Sequence, residues 1–261
     1  MILIGEKLNS SIPKTLEALQ NRDEDYIVSL IRAQSEAGAD VLDLNAALLG
    51  DGEADGLKRL IGLCQKYAPS CTLMLDSPNP PALLEAAKEA TAPLIFNSVT
   101  VTERVDELLP AVLQYRAGVV ALPIAGSGIP ESADDRMANA SAILERLISA
   151  GVPEDKIYMD VLVETISTGG SVMTTLGMLG KMHALYPAIK TVCGLSNVSF
   201  GLPKRVNLNA AFLSMAVAGG LDAVIMDVTS KPMRTALYSA LALCGHDEYC
   251  MDYISYIRET E

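Results

Sequence analysis

The chain has no tryptophan and only two histidines among its 261 residues. His183 lies within a helical pattern and His246 near the C-terminus, so neither stands where a reacting group at a strand end would be needed. That argues against a Ser-His-Asp relay and against a zinc site built on histidine and cysteine. The five cysteines, Cys64, Cys71, Cys193, Cys244 and Cys250, are odd in number and include no Cys-x-x-Cys pair. They read as reduced, mostly buried thiols of a cytoplasmic protein. Positive charge is also scarce, with 20 Lys and Arg against 32 Asp and Glu, for a net charge of -12. Phosphate binding needs clustered cations, so nucleic acid is not expected as the main partner. No apolar run reaches the roughly 18 residues of a membrane span. Met1 leads directly into Ile2-Leu3-Ile4, with no charged leader or cleavable segment, so the expectation is a soluble, cytoplasmic protein.

What is present is bulk aliphatic residue. Hydrophobic residues make up 50% of the chain and aromatics 5%, so the core must rest on Leu, Ile, Val, Ala and Met, as a buried parallel sheet does. Short β-rich runs fall at residues 2–5, 39–44, 71–75, 93–97, 118–123, 156–160, 190–194 and 222–226. Helical spacing fills the gaps, as in Tyr26, Ile27, Leu30, Ile31 and Ala33, in Leu108, Leu109, Val112 and Leu113, and in Ile143, Leu144, Leu147 and Ile148. Gly38, Gly118, Gly151 and Gly220 sit where helices would end in a left-handed cap. Alternating strands and helices imply parallel strands with right-handed crossovers. Eight units in about 250 residues predict a single domain, a closed (β/α)8 TIM barrel. An open doubly wound sheet would share the local pattern, but no Gly-x-Gly-x-x-Gly follows the first strand.

The strand-like runs end in polar residues: Asp43 and Asn45, Asp76 and Ser77, Asn97 and Ser98, Asp160, and then Ser196 and Asn197. Glu6 and Asn9 follow the first run and Asp227 the eighth. Lys204-Arg205 leads into a helix expected to open near Asn209. In a barrel those ends converge on one pocket. Such a pocket is rich in carboxylates and amides. A hard-cation site of Asp43, Asp76, Asp160 and Asp227 is one reading, since Mg2+ and Ca2+ prefer oxygen ligands. The other is a planar heterocycle: an ionised Asp accepts a paired N-H and NH2 from a ring edge, while Asn offers both a donor and an acceptor. A 2-amino-4-oxo pterin presents that pattern.

Taken together, Ile4-Gly5-Glu6-Lys7-Leu8-Asn9, Asp40-Val41-Leu42-Asp43-Leu44-Asn45, Leu75-Asp76-Ser77, Asn97-Ser98, Tyr158-Met159-Asp160 and above all Gly194-Leu195-Ser196-Asn197-Val198-Ser199 resemble the pterin-binding methyltransferases. These act on methyltetrahydrofolate and corrinoid proteins, and include the folate domain of cobalamin-dependent methionine synthase. The resemblance implies that Asp76, Asn97 and Asp160 hold the pterin edge and that Asn197 hydrogen-bonds at N5. It also implies that Arg205 lies near the folate on the same mobile loop. Gly194, Ser196 and Asp43 complete the expected folate site, with Glu6, Asn9, Asn45, Phe200 and Asp227 around it. It further implies a homodimer, tetrahydrofolate or 5-methyltetrahydrofolate as substrate, and a corrinoid (cobalamin) carried by a partner protein. The chain itself lacks the Asp-x-His-x-x-Gly element that ligates cobalt.

The expected reaction moves a methyl group from a methylcorrinoid protein to tetrahydrofolate, the opposite direction toward a corrinoid iron-sulfur protein being the alternative. Dihydropteroate synthase shares the barrel, but its Lys-x-x-Arg and Arg-x-His elements are missing here. A metal-dependent barrel lyase and a pterin-binding protein without turnover are further alternatives. Pro123-Ile124-Ala125-Gly126-Ser127-Gly128 after the fifth strand is smaller and less polar than in acetogen enzymes, and the Gly201-Leu202-Pro203 loop also differs.

Overall fold

Each of the eight apolar runs forms a strand, and every strand pairs in parallel with the next until β8 closes on β1. The structure is a computed structural model that describes residues 1–261 apart from Glu103, Ser127 and Glu261. The strands are β1 (Ile2–Asn9), β2 (Val41–Asn45), β3 (Thr72–Asp76), β4 (Leu94–Thr100), β5 (Gly118–Leu122), β6 (Ile157–Asp160), β7 (Lys190–Gly194) and β8 (Ala223–Met226). Outside them run α1 (Pro13–Asn21), α2 (Glu24–Glu36), α3 (Glu53–Tyr67), α4 (Pro80–Ala87), α5 (Val105–Tyr115), α6 (Ala133–Ser149), α7 (Val172–Leu185), α8 (Arg205–Ala218), α9 (Lys231–Leu243) and α10 (Met251–Thr260). The closed ring decides between the barrel and the open sheet.

Side chains alternate across a strand, and in this barrel the alternation builds the site. One inward residue from each strand, Ile4, Val41, Met74, Ile95, Val120, Tyr158, Val192 and Ala223, packs into a buried layer inside the ring. Two residues further along, on the same face, stand Glu6, Asp43, Asp76, Asn97, Leu122, Asp160, Gly194 and Ile225. The apolar layer therefore forms the floor, and the layer above it, toward the C-terminal ends, is polar. Outward residues such as Leu42, Leu73, Phe96, Val119, Met159 and Val224 pack against the helices in the larger core. Burying each such side chain contributes roughly 1.5–3 kcal/mol.

Several boundaries move from those the sequence implies. β1 continues to Asn9 and β4 to Thr100, because the polar residues at their ends still pair with neighbouring strands: Asn9 faces Asn45, and Thr100 faces Leu122. α8 opens at Arg205, four residues before Asn209, since its start follows a left-handed Lys204 that offers no side-chain cap. Gly38, Gly151 and Gly220 do take the left-handed conformation after α2, α6 and α8. Gly118 does not: the left-handed residue after α5 is Arg116. Gly118 instead begins β5, where an added Cβ would lie 3.0 Å from Ile95 and 3.2 Å from Tyr158 in the inner layer. In the segment after β5, Ala125 and Gly128 form an antiparallel bridge. Ser127 of that segment lies outside the described residues.

Candidate functional site

A cavity of about 760 Å3 opens at the C-terminal mouth of the barrel. Glu6, Asn9, Asp43, Asp76, Asn97, Asp160, Gly194, Ser196, Asn197, Phe200, Arg205 and Asp227 all line it. Asn45 does not. Its amide donates to Asp76 Oδ2 at 3.0 Å and its carbonyl accepts from Ser10 Oγ at 2.8 Å, so it stands behind Asp76 and aims it.

β1 contributes two consecutive residues to the cavity, Glu6 and Lys7, although neighbours in a regular strand face opposite ways. Its register with β2 shifts between Gly5 and Leu8, and such a bulge re-aims side chains. Lys7 then pairs with Asp227 at 2.7 Å, tying the end of β1 to the turn after β8. Lys7, Ser11, Ile12, Val206, Asn209, Ile225, Ser230 and Met233 line the cavity besides the residues expected from the sequence. Ser11, Ile12 and Ser230 sit on loops, Val206 and Met233 on the first turns of α8 and α9, and Asn209 on the second turn of α8, so no strand-end signal marks them. A bulge likewise leaves no composition signal for Lys7.

Beyond β7 the chain makes a short 3-10 turn, Leu195–Ser199, that presents Asn197 to the cavity. Gly194 allows this: a Cβ there would lie 3.1 Å from Asn197 Nδ2. Arg205 anchors the turn by donating from Nη2 to Ser196 O at 2.6 Å and from Nε to Ser199 Oγ at 3.1 Å. Its guanidinium also lies 5.8 Å from the centroid of the exposed Phe200 ring. Thr165 Oγ1 and Ser167 Oγ both donate to Phe200 O, at 2.8 and 3.0 Å, which links this turn to the loop after β6. The Asn197 amide itself makes no side-chain hydrogen bond among the described residues and is exposed at the mouth.

The carboxyls along the polar layer are held away from water. Burial pushes Asp160 up to about 6, against the opposing pull of the Leu162 N-H and Arg136. Asp43 rises well above its ordinary value through burial, reinforced by the neighbouring charges of Asp76 and Glu6. Burial also raises Asp76 and Glu6, partly offset by hydrogen bonds from Asn45 and Ser196. Asp43 Oδ1 is buried and has no hydrogen-bond partner among the described residues. An acceptor left bare in this way costs about 1–3 kcal/mol until a donor reaches it. Among the described residues, no three His, Cys, Asp or Glu side chains are grouped as a metal ion would require. The arrangement is suited to a ligand that brings several N-H donors on one planar edge and leaves a reacting atom at the mouth beside Asn197.

Fold and site together define a parallel (β/α)8 barrel with an acidic pocket at its C-terminal face. The pterin binding enzyme family matches residues 5–227. The chain is 32% identical over 263 positions to the methylcorrinoid:tetrahydrofolate methyltransferase of Eubacterium limosum, covering 99% of this chain and 97% of that one. It is 28% identical over 241 positions to the methionine synthase of Mycobacterium leprae, covering 87% of this chain but 20% of that longer protein. A dihydropteroate synthase from Coxiella burnetii in complex with pteroic acid shares the fold, with a TM-score of 0.68 at 19% identity over 95% of this chain and 93% of that one. The chain belongs to the pterin binding enzyme family, among that family's methyltransferases.

Proposed function

We propose that this methyltransferase moves a methyl group from the cobalt of a corrinoid, carried by a partner protein, to N5 of tetrahydrofolate. The observation that carries the reading is the inward polar layer, in which Asp43, Asp76 and Asp160 offer carboxylate acceptors beside the Asn97 amide. The bare Asp43 Oδ1 adds an acceptor with no partner in the protein. A pterin edge supplies matching donors, and an ionised carboxylate oxygen accepts them more strongly than a neutral group would. The likeness to the Eubacterium limosum enzyme runs over nearly the full length of both chains and supports the same substrates and direction.

In this reaction N5 attacks the methyl carbon, the carbon-cobalt bond breaks with its electron pair left on cobalt(I), and N5 releases its proton through the open mouth. The protein's part is positional and electrostatic. Asn197 Oδ1 accepts the N5-H, which turns the N5 lone pair toward the methyl group, and this bond strengthens as N5 becomes positive. One preorganised group of this kind lowers the barrier by roughly 3 kcal/mol. The floor of Ile4, Val41, Met74 and their neighbours closes the far side of the ring against water.

The chain works as a cytoplasmic homodimer in this account and uses no nucleic acid. Among the described residues its cysteines are all free and no helix is long and apolar enough to cross a membrane. Exposed Leu243, Tyr249 and Met251 leave apolar surface near the C-terminus for a second copy to cover. Light scattering at micromolar concentration is expected to give twice the chain mass. The activity is tested by mixing the protein with methylcob(III)alamin and tetrahydrofolate under anaerobic conditions. The expected result is conversion of the cobalt absorption to that of cobalt(I) with equimolar 5-methyltetrahydrofolate by mass spectrometry. No product with either free or protein-bound methylcorrinoid contradicts the assignment.

A further inference from the structure

Arg136 stands outside the cavity, yet its side chain is only 1% exposed, the largest of the fully buried side chains. It rises from the first turn of α6, and its guanidinium donors are spent on two loops. Nε donates to Pro130 O at 3.0 Å, Nη1 to Leu162 O at 2.5 Å, and Nη2 pairs with Glu164 Oε2. Thr175 Oγ1 adds a second donor on Leu162 O at 3.0 Å. Leu162 is held at φ +55°, a left-handed conformation that a residue with a Cβ adopts only against steric resistance. In that conformation its N-H points back to Asp160 Oδ1 at 2.7 Å. A buried cation with no catalytic contact therefore fixes the residue whose amide caps a cavity carboxylate.

We infer that Arg136 is a positioning residue for Asp160: it locks Leu162 so that one carboxylate oxygen is taken up by the Leu162 N-H and the other is left for the substrate. The inference deepens the functional reading above and rests on it only for the role of Asp160. Arginine suits this position because its planar fork serves several carbonyls at once, which a lysine ammonium on a single flexible stem does not. The charge acts in the same direction as the geometry, since both Arg136 and the Leu162 N-H favour the ionised carboxyl. The other charged or titratable groups near Asp160 are the Cys193 thiol of β7, Glu164 paired with Arg136, and, in the same cavity, Asp43, Asp76, Glu6, Asp227, Lys7 and Arg205. β5 brings none.

The test follows the Asp160 carboxyl by 13C NMR in ligand-free protein, with the signal assigned from D160N, alongside tetrahydrofolate titrations across pH. In R136M the Asp160 midpoint is expected to rise by about one pH unit, as when a carboxylate loses an arginine neighbour. Folate binding should weaken roughly threefold near pH 6.5 and recover above about pH 8 as the carboxyl ionises. In R136K the midpoint should stay within a few tenths of a unit, while the Leu162 amide exchanges faster with solvent. A folded R136M protein whose Asp160 midpoint is unmoved, or whose affinity deficit is the same at every pH, overturns the inference. Should R136M fail to fold, R136K decides, and a Leu162 amide as protected as in the wild type overturns it. Because the NMR titration needs no ligand, a wild type that binds no tetrahydrofolate refutes the functional reading and leaves Arg136 to be judged by the carboxyl midpoint.

Discussion

Ser196 Oγ donates to Glu6 Oε2 across 3.2 Å, joining the turn after β7 to the bulged end of β1 over 190 residues of sequence. The contact sits at the seam where the barrel closes, with β8 between the two strands. It opposes part of the burial effect that raises the Glu6 carboxyl. It also braces the turn that carries Asn197, which Arg205 holds from the other side through Ser196 O. The turn that presents Asn197 to the cavity is thus held on both sides.

Replacing Asp160 with Ala removes an acceptor for the pterin edge and leaves ring donors unpaired in a buried site. Tetrahydrofolate affinity should fall by about 1–3 kcal/mol, measured by calorimetry at pH 7.5. Unchanged affinity would show that the ring binds elsewhere.

The same carboxyl costs the ligand-free protein stability. Its midpoint is about 6 in the fold against an ordinary 3.8, so the folded state resists ionisation while the unfolded chain does not. A raised carboxyl contributes stability that is complete below the unfolded midpoint and is lost as pH rises through the folded one. D160N, which stays neutral, should therefore be more stable than the wild type above about pH 6, by an amount on the order of 3 kcal/mol. The gap should shrink as the pH falls toward 4. Urea unfolding at pH 5 and pH 7.5 checks the sign; a gap that widens on acidification contradicts it.

At Gly194 the expected damage is to catalysis and not to the fold. An added Cβ 3.1 Å from Asn197 Nδ2 pushes the amide aside by a few tenths of an ångström. G194A should lower kcat about tenfold, because reacting groups tolerate little misplacement. Its Tm should stay close to the wild-type value. A large fall in Tm with kcat intact would assign Gly194 a packing role instead.

Phe200 is 67% exposed at the rim and backed by Arg205. Its truncation to Ala should weaken transfer from a corrinoid protein while tetrahydrofolate binding is maintained, since an exposed ring is available to a macromolecular partner. Steady-state KM for the corrinoid protein beside a folate titration separates the two; a loss confined to folate affinity goes against a rim role.

The barrel was legible because its signals are local. Each strand is an aliphatic run, and several end in a polar residue of the kind that ligand-binding strand ends carry, which places Asp43, Asp76, Asn97 and Asp160 on one rim from the sequence alone. Period-two alternation also fixes their direction, since each lies two positions after an inner-layer residue. The same logic places Asn45 in the pocket, but β2 runs on to it and its amide donates to Asp76, so it stands behind the cavity wall. Lys7 escaped because it faces inward only through a register shift. Gly118 looked like a helix cap, yet its constraint comes from Ile95 and Tyr158, residues distant in sequence. Arg136 gave no signal at all, because its role depends on a loop 26 residues away.

The most direct test of the account is the rate of methyl transfer in N197A at saturating tetrahydrofolate, followed in a single turnover by the cobalt absorption change. The proposed edge contacts to Asp76, Asn97 and Asp160 are untouched by that substitution, so the binding titration should change little. The Asn197 hydrogen bond gains strength only as N5 becomes charged, so the saturated rate should fall about 10^2-fold. A variant that binds folate much more weakly but turns over at the wild-type rate once saturated would contradict the role given to Asn197 and the placement of N5 beside it.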